Sequence, residues 1–186
     1  MKVPIEISAR HLHISAKDLD KLFGKNYKLK KRNPLIQPGQ FAAVETVDLQ
    51  YGKNKIKKVR ILGPVRENSQ LEISKTDAFN LGVNTPYSDS GESKGSGIVL
   101  IGKRGKLKMN KGVMISLRHL HCNPTEAKRL KLKNGQKIAV RVGGIRALVF
   151  ENVLVREGDN YSLSLHLDTD EGNAAGINGK GEGEII

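Results

Sequence analysis

The four-residue motif Arg10-His11-Leu12-His13 occurs a second time in the chain, as Arg118-His119-Leu120-His121. After each copy come a polar residue suited to a helix N-cap, an acidic residue and a leucine. These residues are Ser15, Asp18 and Leu22 after the first copy, and Asn123, Glu126 and Leu130 after the second. A repeat of this extent predicts that the chain folds as two related halves.

The repeat continues into the later part of each half. Residues 71–83 align without a gap with residues 165–177, and this alignment places Glu72 opposite His166. His166 is the one histidine of the five that lies outside the two motifs. Each half therefore provides two histidines and one further side chain that can bind a metal ion.

Short runs of alternating apolar and polar residues, separated by tight turns, predict many short strands. Brief helices are predicted where a residue suited to an N-cap precedes an apolar periodic segment. The clearest strands are residues 3–8, 41–50 and 137–142, and the helices are residues 16–23, 75–81 and 124–130. The pattern indicates a mainly β fold with short helices, made of two small β-barrels related by the internal repeat.

The positions of the two motifs suggest where the barrels begin and end. We expect residues 10–116 to form the first barrel and residues 117–186 the second. Residues 3–8 precede the first motif much as residues 112–117 precede the second. The N-terminal strand, residues 1–9, is therefore expected to join the second barrel.

Glycine, proline and basic residues predict several irregular segments. A basic loop is expected up to Arg32, and Gly63-Pro64 is expected to end a strand. Residues 84–97 are rich in Ser, Gly and Pro and are predicted to form a loop or hinge. The glycine-rich tail after Gly176 is predicted to be frayed.

The duplicated histidines indicate a pair of metal sites. In a strand, residues i and i+2 point to the same side, so two such imidazoles can converge on one ion. A third ligand from a distant strand would leave an open position, as in catalytic zinc sites. The predicted sets are His11, His13 and Glu72, and His119, His121 and His166. If the halves face each other, a dimetal site between the barrels would suit phosphate binding or carbonyl polarisation.

A single His-x-His pair is more often part of an ordinary surface, but its duplication in register and the use of every histidine favour metal binding. Arg66 can bind phosphate in a bidentate manner or form a surface salt bridge. Arg10 and Arg118 alternate to the face opposite the histidines, so structural ion pairs are expected. Arg156 lies late in a predicted strand, and Cys122 is expected to face away from His121.

The charge of the chain admits a second class of function. The net charge is +13, from 32 Lys+Arg against 19 Asp+Glu, which is typical of many nucleic-acid-binding proteins. However, the basic residues are spread over several segments and aromatic residues make up 4% of the chain, with no tryptophan for base stacking. A lysine-rich solvated surface is therefore favoured, and a basic β-barrel that binds RNA is the non-enzyme alternative.

The sequence argues against several other classes of protein. No apolar run approaches the roughly 20 residues that span a bilayer, and the N-terminus lacks the apolar core of a signal peptide. The single cysteine excludes an internal disulfide and suits the cytosol. The motifs of P-loop, dinucleotide-binding, serine-hydrolase and His-Glu-x-x-His enzymes are absent from the sequence.

Several longer stretches of the chain resemble the PduL-type phosphotransacylases (phosphate propanoyltransferases). The resemblance covers nearly the whole chain. Besides the two histidine motifs, the stretches are Gln37-Pro38-Gly39-Gln40-Phe41-Ala42-Ala43, Leu62-Gly63-Pro64-Val65-Arg66, Gln70-Leu71-Glu72-Ile73-Ser74, Thr76-Asp77-Ala78, His166-Leu167-Asp168-Thr169-Asp170-Glu171 and Asn173-Ala174-Ala175-Gly176.

The resemblance implies an acyltransferase that moves a propanoyl or acetyl group between coenzyme A and inorganic phosphate. It implies two Zn²⁺ ions, or another divalent metal, in the two ligand sets above, with Arg66 as the catalytic residue that binds phosphate. The acyl carriers in this reaction would be acyl-CoA and acyl phosphate. A dimetal hydrolase of thioesters or phosphoesters, using the same ligands, is the alternative.

The resemblance also implies further site residues. The coenzyme A positions are Ser8, Arg60, Leu62, His166 and Asn173, and the other site-lining positions are Gln37, Gln40, Gln70, Ser90 and Arg156. A homodimer or larger oligomer is implied, with neither a nucleic-acid nor a membrane partner. Because the chain starts at its first strand, without the targeting extension of microcompartment members, a cytoplasmic enzyme is expected.

Overall fold

The computed structural model of the protein describes residues 1–88 and 94–186. These residues form fifteen strands and four short helices, so the prediction of a mainly β fold is confirmed. In chain order the elements are β1 (Lys2–Ser8), β2 (His11–Ser15), α1 (Ala16–Phe23), β3 (Lys31–Pro34), β4 (Phe41–Tyr51), β5 (Asn54–Arg66), β6 (Gln70–Glu72), α2 (Lys75–Leu81), β7 (Tyr87–Ser88), β8 (Lys94–Ile101), β9 (Lys106–Lys111), β10 (Val113–Ser116), β11 (His119–Cys122), α3 (Pro124–Leu130), β12 (Lys137–Val142), β13 (Leu148–Glu157), β14 (Ser164–Asp168), α4 (Thr169–Ala175) and β15 (Lys180–Ile185).

The chain divides into two compact units. We call the unit formed by residues 1–9, 36–38 and 117–186 the barrel unit, and the unit formed by residues 10–35 and 39–116 the sheet unit. The first strand, β1, thus belongs with the C-terminal part of the chain. Each unit has a hydrophobic core of its own.

The barrel unit is a closed barrel of six strands in the order β1-β14-β11-β13-β12-β15. Strand β1 runs parallel to β14 and antiparallel to β15, and so lies between them. Its alternation of apolar and polar residues places Val3 and Ile5 in the core, where they are 1% and 2% exposed. Closure of the barrel leaves no unpaired edge among these strands.

The sheet unit contains a half-barrel, a sheet with strands in the order β7-β10-β6-β2-β5-β4-β8-β9, to which β3 is added through β4. Strand β2 lies between β5, to which it is parallel, and β6, to which it is antiparallel. Leu12 and Ile14 of β2 are fully buried in the core. The motif strand is therefore held on both sides by neighbouring strands.

Three of the helices match the sequence-based predictions in position, because their N-caps are local signals. The side chain of Ser15 accepts a hydrogen bond from Asp18 N at the start of α1. Ser74 and Asn123 form capping boxes with Asp77 and Glu126 at the starts of α2 and α3. The fourth helix, α4, was missed, although Asp168 and Glu171 form the same capping box.

Three predictions of irregular structure are wrong in part. The strand β5 continues through Gly63-Pro64 to Arg66, because β2 pairs alongside it as far as Ser15 opposite Arg66. The segment predicted as a basic loop contains β3, which pairs with β4. The described part of the predicted loop at residues 84–97 contains β7 and the start of β8, and residues 89–93 lie outside the described residues.

The glycine-rich tail, predicted to be frayed, forms β15 and completes the barrel. Its glycines allow close approach: a Cβ atom at Gly183 would lie 2.6 Å from Cγ1 of Val140. Among the described residues, none of the helices is long and apolar enough to cross a membrane.

Candidate metal centres

The first ligand set lies in the sheet unit and consists of His11, His13 and Glu72. His11 and His13 are 6% and 4% exposed, on β2. Glu72 is directly opposite His11 on the antiparallel strand β6, with 3.7 Å between His11 Nε2 and Glu72 Oε2. One ligand atom from each of the three residues lies within 4.8 Å of the others, so the predicted set is brought together.

The second ligand set lies in the barrel unit and consists of His119, His121 and His166. His119 is directly opposite His166, on the antiparallel strands β11 and β14. The ring centroids of His119 and His121 are 4.6 Å apart, and those of His121 and His166 are 4.8 Å apart. Their ligand atoms also lie within 4.8 Å of one another. The same register therefore builds both sets.

Burial keeps two of these imidazoles neutral. The pKa of His13 is lowered to about 2, first by burial and then by the neighbouring charges of His11 and Arg66, against an opposing hydrogen bond that the ring donates to the backbone of Leu62. Burial also lowers the pKa of His119 well below its ordinary value, with Arg156 as the next cause. A neutral imidazole is the form that binds a metal ion.

The donor atoms fit zinc. Nδ1 of His119 lies 2.7 Å from the carbonyl oxygen of Leu117, so Nδ1 donates to the backbone and Nε2 carries the free lone pair. Nδ1 of His13 is buried with no hydrogen-bond partner in residues 1–88 and 94–186. Two imidazoles with a carboxylate, or three imidazoles, are ligand sets that catalytic zinc sites use.

Arg66 and Gln70 lie near the first ligand set. Arg66 ends β5, and its charge contributes to the lowered pKa of His13. Both residues line a cavity of about 1260 Å³ in the sheet unit. Nε2 of Gln70 donates to Oε1 of Glu72 at 3.3 Å, so Gln70 orients the carboxylate of the candidate ligand. Gln40 lies half-buried, just before β4.

Gln37 is fixed beside the second ligand set by backbone contacts. Its Nε2 donates to Ser162 O, and its Oε1 accepts from Ser162 N, both at 3.1 Å. Nε2 of Gln37 also lies 3.4 Å from Nε2 of His166. Residues 36–38 belong to the barrel unit because of such contacts. The family resemblance predicted Gln37 as a site-lining residue and gave no indication of its partner, Ser162.

Tyr161 lies beside the second ligand set and was not predicted from the sequence. Its ring stacks on His121 with 4.0 Å between centroids and 19° between planes. A Cβ atom at Gly158 would lie 2.9 Å from the Tyr161 ring, so Gly158 provides the space that this ring occupies. No local pattern marks Tyr161, because its partner on β11 is distant in the chain.

The family model of phosphate propanoyltransferase matches residues 4–178. The chain belongs to the phosphate propanoyltransferase family. Proteins named phosphate propanoyltransferase from Thermotoga maritima, Lachnoclostridium phytofermentans and Citrobacter freundii are 47%, 45% and 44% identical to it. Each alignment covers 94% of this chain, and 84%, 83% and 83% of the respective relative. The chain is an acyltransferase of this family.

The residues predicted to bind coenzyme A in this phosphate propanoyltransferase family member fall in both units. Ser8 ends β1 opposite Asp168, and Asn173 is exposed on α4, both in the barrel unit. In the sheet unit, Arg60 donates through Nη1 to the carbonyl oxygens of Ala43 and Val44 at 3.0 and 2.8 Å. Leu62 is half-buried opposite His13. Their role in binding coenzyme A stays a prediction.

The remaining residues considered at or near the site are Arg156, Ser90 and Cys122. Arg156 lies directly opposite His121 on β13, so this residue is part of the neighbourhood of the second ligand set. Ser90 lies outside the described residues. Cys122 is buried, and burial, followed by the charges of Glu157 and Glu126, raises the pKa of its thiol. A buried thiol with a raised pKa is a poor nucleophile.

Proposed function

We propose that the chain moves a propanoyl or acetyl group between coenzyme A and inorganic phosphate, and that each ligand set holds one Zn²⁺ or other divalent ion. The observation that carries the proposal is the register common to both units: two histidines on one strand face a third metal-capable side chain on an antiparallel neighbour. The names of the relatives, phosphate propanoyltransferase, support the choice of phosphate and a short acyl group.

Arg66 is the residue that we propose binds phosphate. A guanidinium group offers a planar fork of N–H donors that matches two phosphate oxygens. Its position at the end of β5, close enough to lower the pKa of His13, supports a role beside the first ligand set. Gln70 holds the Glu72 carboxylate, and Gln37 is placed to hold the ring of His166.

In the proposed reaction, an oxygen atom of phosphate attacks the thioester carbonyl carbon of acyl-CoA. A carbon–oxygen bond forms, the carbon–sulfur bond breaks, and coenzyme A leaves as a thiolate. Zinc in such a site supplies Lewis acidity toward carbonyl and phosphoryl oxygens. The contribution of Arg66 is to bind phosphate, orient it and offset its negative charge.

The proposal needs no covalent acyl-enzyme intermediate. The raised pKa and complete burial of Cys122 make it unsuited to carry an acyl group. Direct transfer predicts that coenzyme A and acyl phosphate are released in equal amounts, and that no acyl group remains on the chain. Mass spectrometry of the protein quenched during turnover would detect an acyl adduct, which direct transfer excludes.

The test is the formation of acyl phosphate from acetyl-CoA and propanoyl-CoA, with and without phosphate, before and after removal of metal by a chelator. We expect phosphate-dependent release of coenzyme A that chelation abolishes and added zinc restores. The ratio of the two rates would give the acyl preference. Release of coenzyme A at the same rate without phosphate would instead indicate the thioester hydrolase considered as the alternative.

Two further features belong to the proposal. The lone cysteine is compatible with a cytosolic location, and family resemblance supports a homodimer or larger oligomer. Analytical ultracentrifugation would measure the oligomer, since the monomer has a mass of 20.4 kDa.

A further inference from the structure

Arg10 and Arg118 occupy the same position in the two motifs, directly before the first histidine. Both form the ion pairs predicted from the sequence. Nε of Arg10 lies 2.9 Å from Oδ1 and 2.8 Å from Oδ2 of Asp77. Nε of Arg118 lies 2.7 Å from Oε1 of Glu171. The two arginines therefore have equivalent partners in the two units.

The two acceptors share a position in local structure. Asp77 is the third residue of α2, and Glu171 is the third residue of α4. Each closes a capping box: Asp77 Oδ2 accepts from Ser74 N at 3.3 Å, and Glu171 Oε2 accepts from Asp168 N at 3.0 Å. Each carboxylate thus joins an arginine to the first turn of a helix.

These helices begin directly after the strands that carry the third ligands. The N-cap residue lies two positions after Glu72 in the sheet unit and two positions after His166 in the barrel unit. Glu72 is directly opposite His11, and His166 is directly opposite His119. Each ion pair therefore connects the start of the strand that carries the two histidines to the helix that follows the C-terminal end of the strand that carries the third ligand.

In each unit these contacts form a closed ring of interactions that includes the first histidine and the third ligand. The ring passes from the arginine to the adjacent histidine, across the strands to the third ligand, along two residues to the helix cap, and through the carboxylate back to the arginine. A slip of one strand along the other by one residue would break the ion pair. The third ligand is Glu72 in one unit and His166 in the other, and the acid is Asp77 in one and Glu171 in the other. The sequence of contacts is nevertheless the same in both units.

Exposure of the partners indicates that the carboxylates depend on the arginines. The side chains of Asp77 and Glu171 are 4% and 18% exposed, whereas those of Arg10 and Arg118 are 42% and 35% exposed. A carboxylate with little exposure to water needs hydrogen-bonded partners, because water solvates its charge poorly. The arginine is thus held in place by a group that is itself fixed by the helix cap.

We propose that Arg10 and Arg118 are positioning residues, each of which holds the third ligand of its own unit opposite the two histidines. The inference rests on the proposed metal sites. Neither arginine needs to touch the metal or a substrate. Groups that orient metal ligands typically change metal affinity by about 10- to 100-fold when they are removed.

The internal repeat provides the matched control, because each arginine should act on one site and not on the other. The variants are Arg10→Gln and Arg118→Gln, which keep a long polar side chain and remove the charge. Each is made in two backgrounds that retain a single ligand set. The backgrounds are His121→Ala with His166→Ala, which leaves the first set, and His13→Ala with Glu72→Ala, which leaves the second.

Zinc affinity is measured in all combinations by competition with a chromophoric chelator, at a temperature where circular dichroism shows the metal-free proteins to be folded. We expect Arg10→Gln to weaken the first set by about 10- to 100-fold and to leave the second within about twofold. Arg118→Gln should show the converse. Equal weakening of both sets by either variant, or no weakening, would overturn the inference.

The acid partners provide a second test that does not remove an arginine. Asp77→Asn should weaken the first set much as Arg10→Gln does, and the double variant should be no weaker than either single variant. Additive losses would mean that the two residues act independently, which contradicts the ring. If the unaltered protein binds no zinc, the proposed metal sites fail and this inference fails with them. If it binds two ions that both arginine variants retain unchanged, this inference alone fails.

Discussion

The lowered pKa of His13 shows how its surroundings keep one candidate ligand in the form that binds a metal ion. Burial is the largest cause of its lowered pKa, and the charge of Arg66 adds to that effect. Both causes favour the neutral imidazole, which is the metal-binding form. We propose that the same guanidinium group binds phosphate, so one arginine would act on both a candidate ligand and a substrate.

Replacement of Arg66 by Gln tests both roles. We expect the KM for phosphate to rise by about 10- to 100-fold, because a charge-assisted hydrogen bond to phosphate is worth about 1.5–3 kcal/mol. The KM for acyl-CoA should change little. In the metal-free protein, NMR titration should show a higher pKa for His13 that still lies below its ordinary value, because burial remains.

Lys17 provides the control for this variant, since it lines the same cavity and is exposed. Lys17→Gln removes the same charge and should leave the KM for phosphate within about twofold, as expected of a solvated surface charge. An unchanged KM in Arg66→Gln, or equal changes in the two variants, would contradict a specific role for Arg66.

Gln37 and Gln40 were predicted together as site-lining residues, and the structure distinguishes them. Gln37 is buried and bonded to both backbone groups of Ser162, whereas Gln40 is half-buried. We expect Gln37→Leu to lower the free energy of unfolding by about 1–3 kcal/mol, because backbone groups of Ser162 lose their partner. Gln40→Leu should change it by less than about 0.5 kcal/mol. Urea denaturation measures both, and equal effects would refute the distinction.

At the scale of elements, helix α1 is packed against the turn between β8 and β9. Arg104 N donates to Leu22 O at 2.9 Å, and Gly102 N donates to Gly105 O across the turn. A Cβ atom at Gly102 would lie 2.5 Å from Leu22 O and 2.6 Å from Leu22 Cβ. The absence of a side chain at Gly102 is therefore what permits this approach.

Gly102→Ala should destabilise the protein by about 1–3 kcal/mol or more, because the atom it meets belongs to a hydrogen-bonded backbone that cannot easily move. Gly143→Ala is the matched substitution, since a Cβ atom at Gly143 would meet nothing within 4 Å. We expect that variant to lie within about 0.5 kcal/mol of the parent. Midpoints of urea unfolding compare the two, and a stable Gly102→Ala protein would show that the helix can shift.

At the scale of the whole molecule, buried neutral histidines couple stability to pH. The pKa values of His13 and His119 are lowered in the folded state. Below about pH 6.5 the unfolded chain binds more protons at these residues than the folded chain does. Stability therefore falls as the pH falls from about 6.5 toward the folded pKa of His13, about 2.

For the metal-free protein, we expect the free energy of unfolding to decrease between pH 7.5 and 5.5, with a limiting slope of about 1.4 kcal/mol per pH unit for each such histidine. Half-buried acids act in the opposite direction, because partial burial raises the pKa values of Glu6, Asp168 and Glu171. The difference between the parent and His13→Asn isolates one histidine. Identical pH dependence in the two proteins would contradict the lowered pKa of His13.

The candidate metal ligands could be identified from the sequence because the repeat placed them in register. His-x-His pairs need only the two-residue period of a strand, and the gapless alignment of Glu72 with His166 supplied the third member of each set. Tyr161 could not be found in this way, because stacking on His121 depends on the path of β11 and on the space at Gly158.

The sequence by itself determined the features that depend on neighbouring residues: the strand alternation, the helix caps at Ser15, Ser74 and Asn123, and the duplicated histidines. These depend on hydrogen bonds and side-chain directions within a few residues. Tertiary structure alone decided that β15 closes the barrel, that β5 continues beyond Gly63-Pro64, and that Arg10 and Arg118 reach Asp77 and Glu171. The physical reason is that strand pairing and partly buried ion pairs join distant residues, and a strand edge or a carboxylate shielded from water can be satisfied only after the chain has brought them together.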